Sequence, residues 1–146
     1  MTTQSTPSQT SRRQSRELAL QVLFQQEFSP QLEFHEGLKT FRGNFEAPES
    51  VWEYATFLLE GITTNRKAID EILQSNTAHW SVKRMALVDR NLMRIAIFEL
   101  MFSQDEVPPK VAINEAIEIS KTYGSTDSAA FINGILDQVL KLKDSK

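Results

Sequence analysis

The chain contains no cysteine, so it can form neither a disulfide nor a thiolate metal site, a composition that fits a reducing cytosol. Glycine and proline are scarce, at five each among 146 residues. The glycines at 37, 43, 61, 124 and 134 form neither a G-x-G-x-x-G turn nor a Walker loop. The two histidines, His35 and His79, are far apart, and "HEG" at 35–37 lacks the second histidine of a zinc-binding helix. Long apolar runs are missing as well. The stretch "LMRIAIFELMF" (92–102) is broken by Arg94 and Glu99 and falls short of the roughly 20 residues a membrane span needs. The opening "MTTQSTPSQTSRRQS" lacks the apolar region of a secretory signal. Paired carboxylates occur at Asp70-Glu71 and Asp105-Glu106, in polar surroundings where solvated charge is the ordinary explanation. Little remains from which to assemble a catalytic site, so the chain reads as a cytoplasmic non-enzyme that needs no metal or cofactor.

What is present is an ordinary globular composition, 40% hydrophobic and 24% charged, at a length that suits one domain with one core. Net charge is −3, unevenly spread: the first 16 residues carry Arg12, Arg13 and Arg16 and no acid, which leaves the remaining 130 with −6. A basic arm on an acidic body can contact a few phosphates without binding nucleic acid indiscriminately. The plainer explanation is a solvated helix start.

Periodicity predicts helices throughout. Residues 1–10 are Ser/Thr/Gln-rich and read as a disordered tail, leaving 11–146 as a single domain. A first helix runs from Arg12 to Phe28, with Leu18, Ala19, Val22 and Leu23 on one stripe, and Ser29-Pro30 stops it. A second carries Phe34, Leu38, Phe41 and Phe45 and ends near Gly43-Asn44. Pro48 opens a third, with Val51, Ala55, Leu58, Ile62, Ile69 and Leu73, in which Gly61 marks a possible break. Ser81 caps a short helix with Val82 and Met85, and Asp89 caps the next. Pro109 lies in the first turn of a sixth helix that ends at Gly124, and Asp127 caps the seventh, to about Leu142. No period-2 run or hairpin turn competes, so the fold class is all-α, with about seven helices.

Binding chemistry is better supported than catalysis. Arginines suit a phosphate backbone, and Phe24, further along the same helix, could hold an unstacked base or simply pack in the core. The start of the last helix, "STDSAAF" (125–131), offers backbone N–H groups that favour anions. Asp127 opposes that tendency.

Three blocks then resemble one family. "SRRQSRELALQVLFQ" (11–25) resembles the arginine-rich opening helix of the NusB family of transcription antitermination factors. "LVDRNLMRIAIFEL" (87–100) resembles its central helix, and "VPPKVAINEAIEISKTYGSTDSAAFINGILD" (107–137) its most diagnostic block. The resemblance spans about residues 11–142 in order. It implies two three-helix bundles set roughly perpendicular. It also implies a non-enzymatic factor that binds the boxA element of nascent RNA, notably in ribosomal RNA leaders, together with the ribosomal protein NusE. That pair joins the RNA polymerase elongation complex with other Nus factors and suppresses premature termination.

Carried over residue by residue, the resemblance implies an RNA-contacting arm at Arg12, Arg13 and Arg16. It implies RNA-face aromatics at Phe24 and Phe131, and a site near RNA and partner at Asp127 and Ser128. Asp89 is implied to face NusE, and Arg94 either faces it too or forms a structural ion pair. One departure is visible: Ala129 and Ala130 stand where many members carry a polar or basic pair, which implies weaker RNA contact there and more dependence on NusE. Gly134, mid-helix where glycine costs about 1 kcal/mol relative to alanine, is expected to let another helix approach closely. Two other readings are weighed. NusB-like domains also precede rRNA cytosine methyltransferases, for which these 146 residues leave no room, and a helical adaptor without RNA affinity would not need the arginine arm. Monomer and dimer both remain open.

Overall fold

A computed structural model describes residues 9–78, 80–103 and 107–144. Residues 1–8 of the expected tail, His79 and the Asp105-Glu106 pair lie outside the described residues. The elements are α1 (Gln9–Phe28), α2 (Phe34–Arg42), α3 (Glu49–Ser75), a 3₁₀ turn (Val82–Arg84), α4 (Leu87–Met101), α5 (Pro109–Tyr123) and α6 (Ser128–Asp144). Among the described residues there is no strand, and the seven expected helices correspond to these six α-helices and one 3₁₀ turn. Gln9 and Thr10, expected in the tail, form the first turn of α1.

A side-chain cap, prolines and a closing glycine set several of the boundaries. Glu33 caps α2, its side chain accepting the His35 N–H at 3.1 Å, and Lys39 and Arg42 complement the dipole in the last turn. Pro108 and Pro109 open α5, and the Gly124 N–H returns to the Ser120 carbonyl at 2.8 Å to close it. Asp127 directly precedes α6. Asp89 departs from expectation. Ala86 occupies the N-cap position of α4, and Asp89 sits inside the first turn, where a carboxylate still favours the helix dipole.

Contacts divide the chain within α3, into one compact unit ending at Glu60 and another beginning at Gly61. In the first, α1 packs on α2, and Leu18, Ala19, Val22, Leu23, Phe34, Leu38, Val51, Ala55 and Leu58 are buried. The Ser15 hydroxyl donates to the Val51 carbonyl at 2.8 Å, fastening α1 to the start of α3. In the second, α4, α5 and α6 pack pairwise as a three-helix bundle. All twelve residues of α4 from Asp89 to Leu100 are buried. Lys143, near the end of α6, donates to the Leu100 carbonyl at 2.7 Å.

Neither Gly134 nor Gly61 plays the role expected of it. Gly134 is exposed, and a Cβ there would meet nothing within 4 Å. It lies on the face of α6 opposite the buried Ile132, Ile135 and Leu136, so the expected close approach of another helix at Gly134 does not occur. It occurs at Gly61, where a Cβ would stand 2.2 Å from the Phe98 ring of α4. The break in α3 is not at Gly61 but at Asn65 (φ −106°, ψ 16°). The Asn65 side-chain amide donates to the Gly61 carbonyl at 2.8 Å, a local bond that competes with the helical ladder and bends it.

Because Phe98 is buried and its ring has nowhere to retreat, Gly61→Ala is expected to lower stability by about 1–3 kcal/mol through overpacking. Gly134→Ala should raise it by up to about 1 kcal/mol. Urea midpoints of the two variants check this, and a Gly61→Ala protein as stable as the parent would refute the packing argument.

Candidate nucleic-acid interface

The arginines at the start of α1 (Gln9–Phe28) do not behave alike. The Arg12 guanidinium lies over the Tyr54 ring at 3.7 Å from its centroid, and Arg16, one turn later, lies 5.8 Å from it. Tyr54 in turn stacks on Phe57, with centroids 5.6 Å apart and planes at 30°. Helical spacing explains this: residues four apart share a face, so Arg12 and Arg16 both meet the aromatic side chain that α3 presents. Arg16 is only 2% exposed, which leaves almost nothing of it for a phosphate to touch. Arg12 and Arg13 are half-buried and reach solvent. The arm therefore offers two cations that reach solvent in part, with Arg12 Nη1 itself buried and Arg16 as part of the foundation.

Phe24 is 39% exposed, so it is not the core residue that periodicity alone allowed. Its ring meets Phe28 edge-on at 5.3 Å, and Phe28 is more exposed still. The pair forms an apolar step on the later turns of α1, available to a flat ring.

In the second unit, a pocket of about 190 Å³ is lined by Trp80, Arg84, Met85, Ala86, Asp89, Asp127 and Phe131. It brings together three residues singled out from the sequence: Asp89 on α4, Phe131 on α6, and Asp127 just before α6. The turn "GSTDS" (124–128) aims its members differently. Ser128 is buried, and its hydroxyl accepts the Ser125 N–H at 2.9 Å. The Asp127 N–H donates to the Ser125 hydroxyl at 3.3 Å. A Cβ on Gly124 would stand 2.5 Å from the Ser128 oxygen, so the turn closes only with glycine there. Ser128 thus holds the turn from inside, while Asp127 faces solvent at the pocket.

Arg94 resolves to the structural alternative. Its side chain is 7% exposed and grips Asp70 of α3 with two bonds, Nε to Oδ1 at 2.8 Å and Nη2 to Oδ2 at 2.9 Å. Its Nη1 donates to Asn91 at 2.9 Å. A guanidinium bound this way is turned inward rather than toward a partner.

Sequence reasoning missed Trp80, Arg84, Tyr54 and Phe57. Trp80 is 55% exposed, and its loop is clamped by Gln74, whose side chain donates to the Trp80 carbonyl at 3.1 Å and accepts the Val82 N–H at 2.9 Å. The available signal was a tryptophan standing alone in the polar stretch "NTAHWSVKR" (76–84), where no helical stripe accounts for it. Among the described residues there is no cluster of three or more His, Asp or Glu able to hold a metal ion. No described helix is long and apolar enough to cross a membrane.

A model described as the NusB family matches residues 13–141. The chain belongs to the NusB family. It is 50% identical over 132 residues to the transcription antitermination protein NusB of Bdellovibrio bacteriovorus, covering 90% of this chain and 96% of that one. It is 46% identical to the protein of the same name from Trichlorobacter lovleyi, covering 88% and 89%. Among solved structures, T. maritima NusB superposes with a TM-score of 0.82 at 35% identity, over 94% of this chain and 93% of that one. A structure described as antitermination factors NusB and NusE in complex with dsRNA has a TM-score of 0.77, covers 91% of this chain and 98% of that one, and at 24% identity shows the shared fold. The all-α expectation and the family resemblance both hold.

Removing Arg94 would leave Asp70 without its partner beside a buried helix. Arg94→Gln is expected to lower unfolding stability by about 2 kcal/mol, less than for a wholly buried pair because Asp70 keeps some solvent. Denaturant titration reads this directly, and a loss under about 0.5 kcal/mol would show the pair to be dispensable.

Proposed function

We propose that this protein is a transcription antitermination factor of the NusB family. It binds the boxA element of nascent RNA, notably in ribosomal RNA leaders, together with the ribosomal protein NusE. With other Nus factors it joins the RNA polymerase elongation complex and suppresses premature termination. It acts in the cytoplasm, by binding rather than by catalysis.

The observation that carries the RNA reading is the outer surface of α1, where two accessible arginines lead into an exposed aromatic step. Cations fix a backbone in place, and aromatic faces hold bases that have left a stack. Arg12 is pre-positioned by Tyr54, which lowers the entropy lost when it meets a phosphate. Family membership across almost the whole chain, with relatives named for antitermination, supports the same role. At the start of α6, Ala129 and Ala130 add no polar group beside Asp127 and Phe131, and this end leans on NusE for its affinity. Asp89, which lines the pocket, is proposed to face NusE.

The test is fluorescence anisotropy on a boxA-containing single-stranded RNA and a scrambled control, with and without NusE. Preference for boxA that tightens when NusE is added supports the reading. Equal, weak binding to both RNAs would leave a helical adaptor as the better account. With Arg16 packed away, two arginine–phosphate contacts predict a slope of log affinity against log salt of about −1.4. Replacing Arg12 and Arg13 with alanine should flatten that slope while sparing NusE binding.

A further inference from the structure

We infer that the cleft where the end of α3 meets the 3₁₀ turn and α4 binds a small sugar phosphate. Arg90 and Arg94 form its floor, and Lys67 and Lys83 its rim.

The cleft lies wholly within the second unit. It encloses about 680 Å³, inside the roughly 300–1,000 Å³ typical of small-molecule sites. Four cations line it against two carboxylates, in a chain whose net charge is −3. They come from three elements: Lys67 from α3, Lys83 from the 3₁₀ turn, and Arg90 and Arg94 from α4. Arg90 and Arg94 are 8% and 6% exposed, so their charge stands at the bottom of the cleft, where salt screens it least. Arg94 and Asp70 neutralise one another. With that pair set aside, the lining carries three cations and one carboxylate, Glu71. Both lysines are exposed, and among the described residues neither is in an ion pair.

The turn that carries Lys83 is already held in place. Gln74 of α3 donates to the Trp80 carbonyl at 3.1 Å and accepts the Val82 N–H at 2.9 Å. Arg90 Nη1 donates to the Val82 carbonyl at 3.1 Å. The walls are thus bridged by their own side chains, and a ligand orders little besides the two lysines.

The lining narrows what that ligand is. Its excess positive charge calls for an anion, and ammonium groups above a guanidinium floor suit phosphate oxygens. Glu71 would oppose a bare polyanion. Glu71 and the Ser81 hydroxyl, both exposed at the cleft, accept instead from hydroxyl groups, which belong in the ligand beside its phosphate. No aromatic side chain is among the described residues that line the cleft, so nothing there stacks on a nucleobase. A sugar phosphate brings a dianion, several hydroxyls and no flat ring system, and so meets all of these conditions.

The test titrates the full chain with ribose 5-phosphate, glucose 6-phosphate and glycerol 3-phosphate, following backbone amide NMR shifts. Ribose and sulfate serve as controls. At least one of the three phosphates is expected to give saturable shifts at Ser81, Val82 and Lys83, and to bind about tenfold or more tighter than either control. Replacing Lys67 and Lys83 together with alanine should weaken that binding about tenfold or more. The same variant should keep the parent's melting temperature and its affinity for boxA RNA. Arg12→Ala combined with Arg13→Ala should leave sugar-phosphate binding unaltered. Absence of saturable shifts with all three phosphates overturns the assignment, as does sulfate binding equally well or a lysine variant that binds like the parent. If the lysine variant loses boxA affinity, the cleft belongs to the path of the RNA, and its assignment to a free sugar phosphate is likewise overturned.

Discussion

Burying α4 from Asp89 to Leu100 on every side obliges each polar group along it to find a partner inside the protein. An all-apolar helix would meet that condition with no further demands, but this one carries Arg90, Asn91, Arg94 and Glu99. Their bonds are what connect the neighbouring elements. Arg94 ties α4 to Asp70 of α3, Arg90 ties it to the 3₁₀ turn through the Val82 carbonyl, and Ser103 returns to the Glu99 carbonyl at the far end. Gly61 lets Phe98 settle directly against the backbone of α3. The second unit is organised around a helix whose buried polar side chains are largely engaged by neighbouring elements.

The same logic separates support from contact at the two candidate surfaces. Arg16 and Ser128 both belong to stretches whose resemblance points to RNA, yet both are buried and act on their neighbours. Arg16 underlies Tyr54 beside Arg12, and Ser128 closes the turn that exposes Asp127. At each surface an inward residue fixes the geometry beside a neighbour that reaches solvent. The division also reconciles an acidic chain with nucleic-acid binding. Charge of either sign acts locally, with accessible cations on α1 and carboxylates at the pocket, rather than through the net value.

Helices were legible because periodicity and caps are local: Pro109 and Gly124 bound α5, and Ser29-Pro30 ends α1. Gly61 drew attention as a weak point of α3 because glycine is the louder helix breaker in a sequence, whereas the kink at Asn65 arises from a side-chain amide competing for a carbonyl. The short helix after Ser81 proved to be a 3₁₀ turn, a distinction that three residues cannot announce. Trp80 and Tyr54 escaped notice because each acts on residues remote in sequence.

The sequence by itself determined the all-α class, the approximate helix boundaries, the basic start of α1 and, through three ordered blocks, the family. These depend on spacing and residue type within a few turns, which one chain displays in full. Only the tertiary structure decided which glycine carries a helix contact, which arginine is accessible, and that Asp89, Asp127, Phe131 and Trp80 line one pocket. Those outcomes turn on whether a side chain faces a neighbour or solvent, and for positions separated by tens of residues that is settled by packing rather than by local pattern.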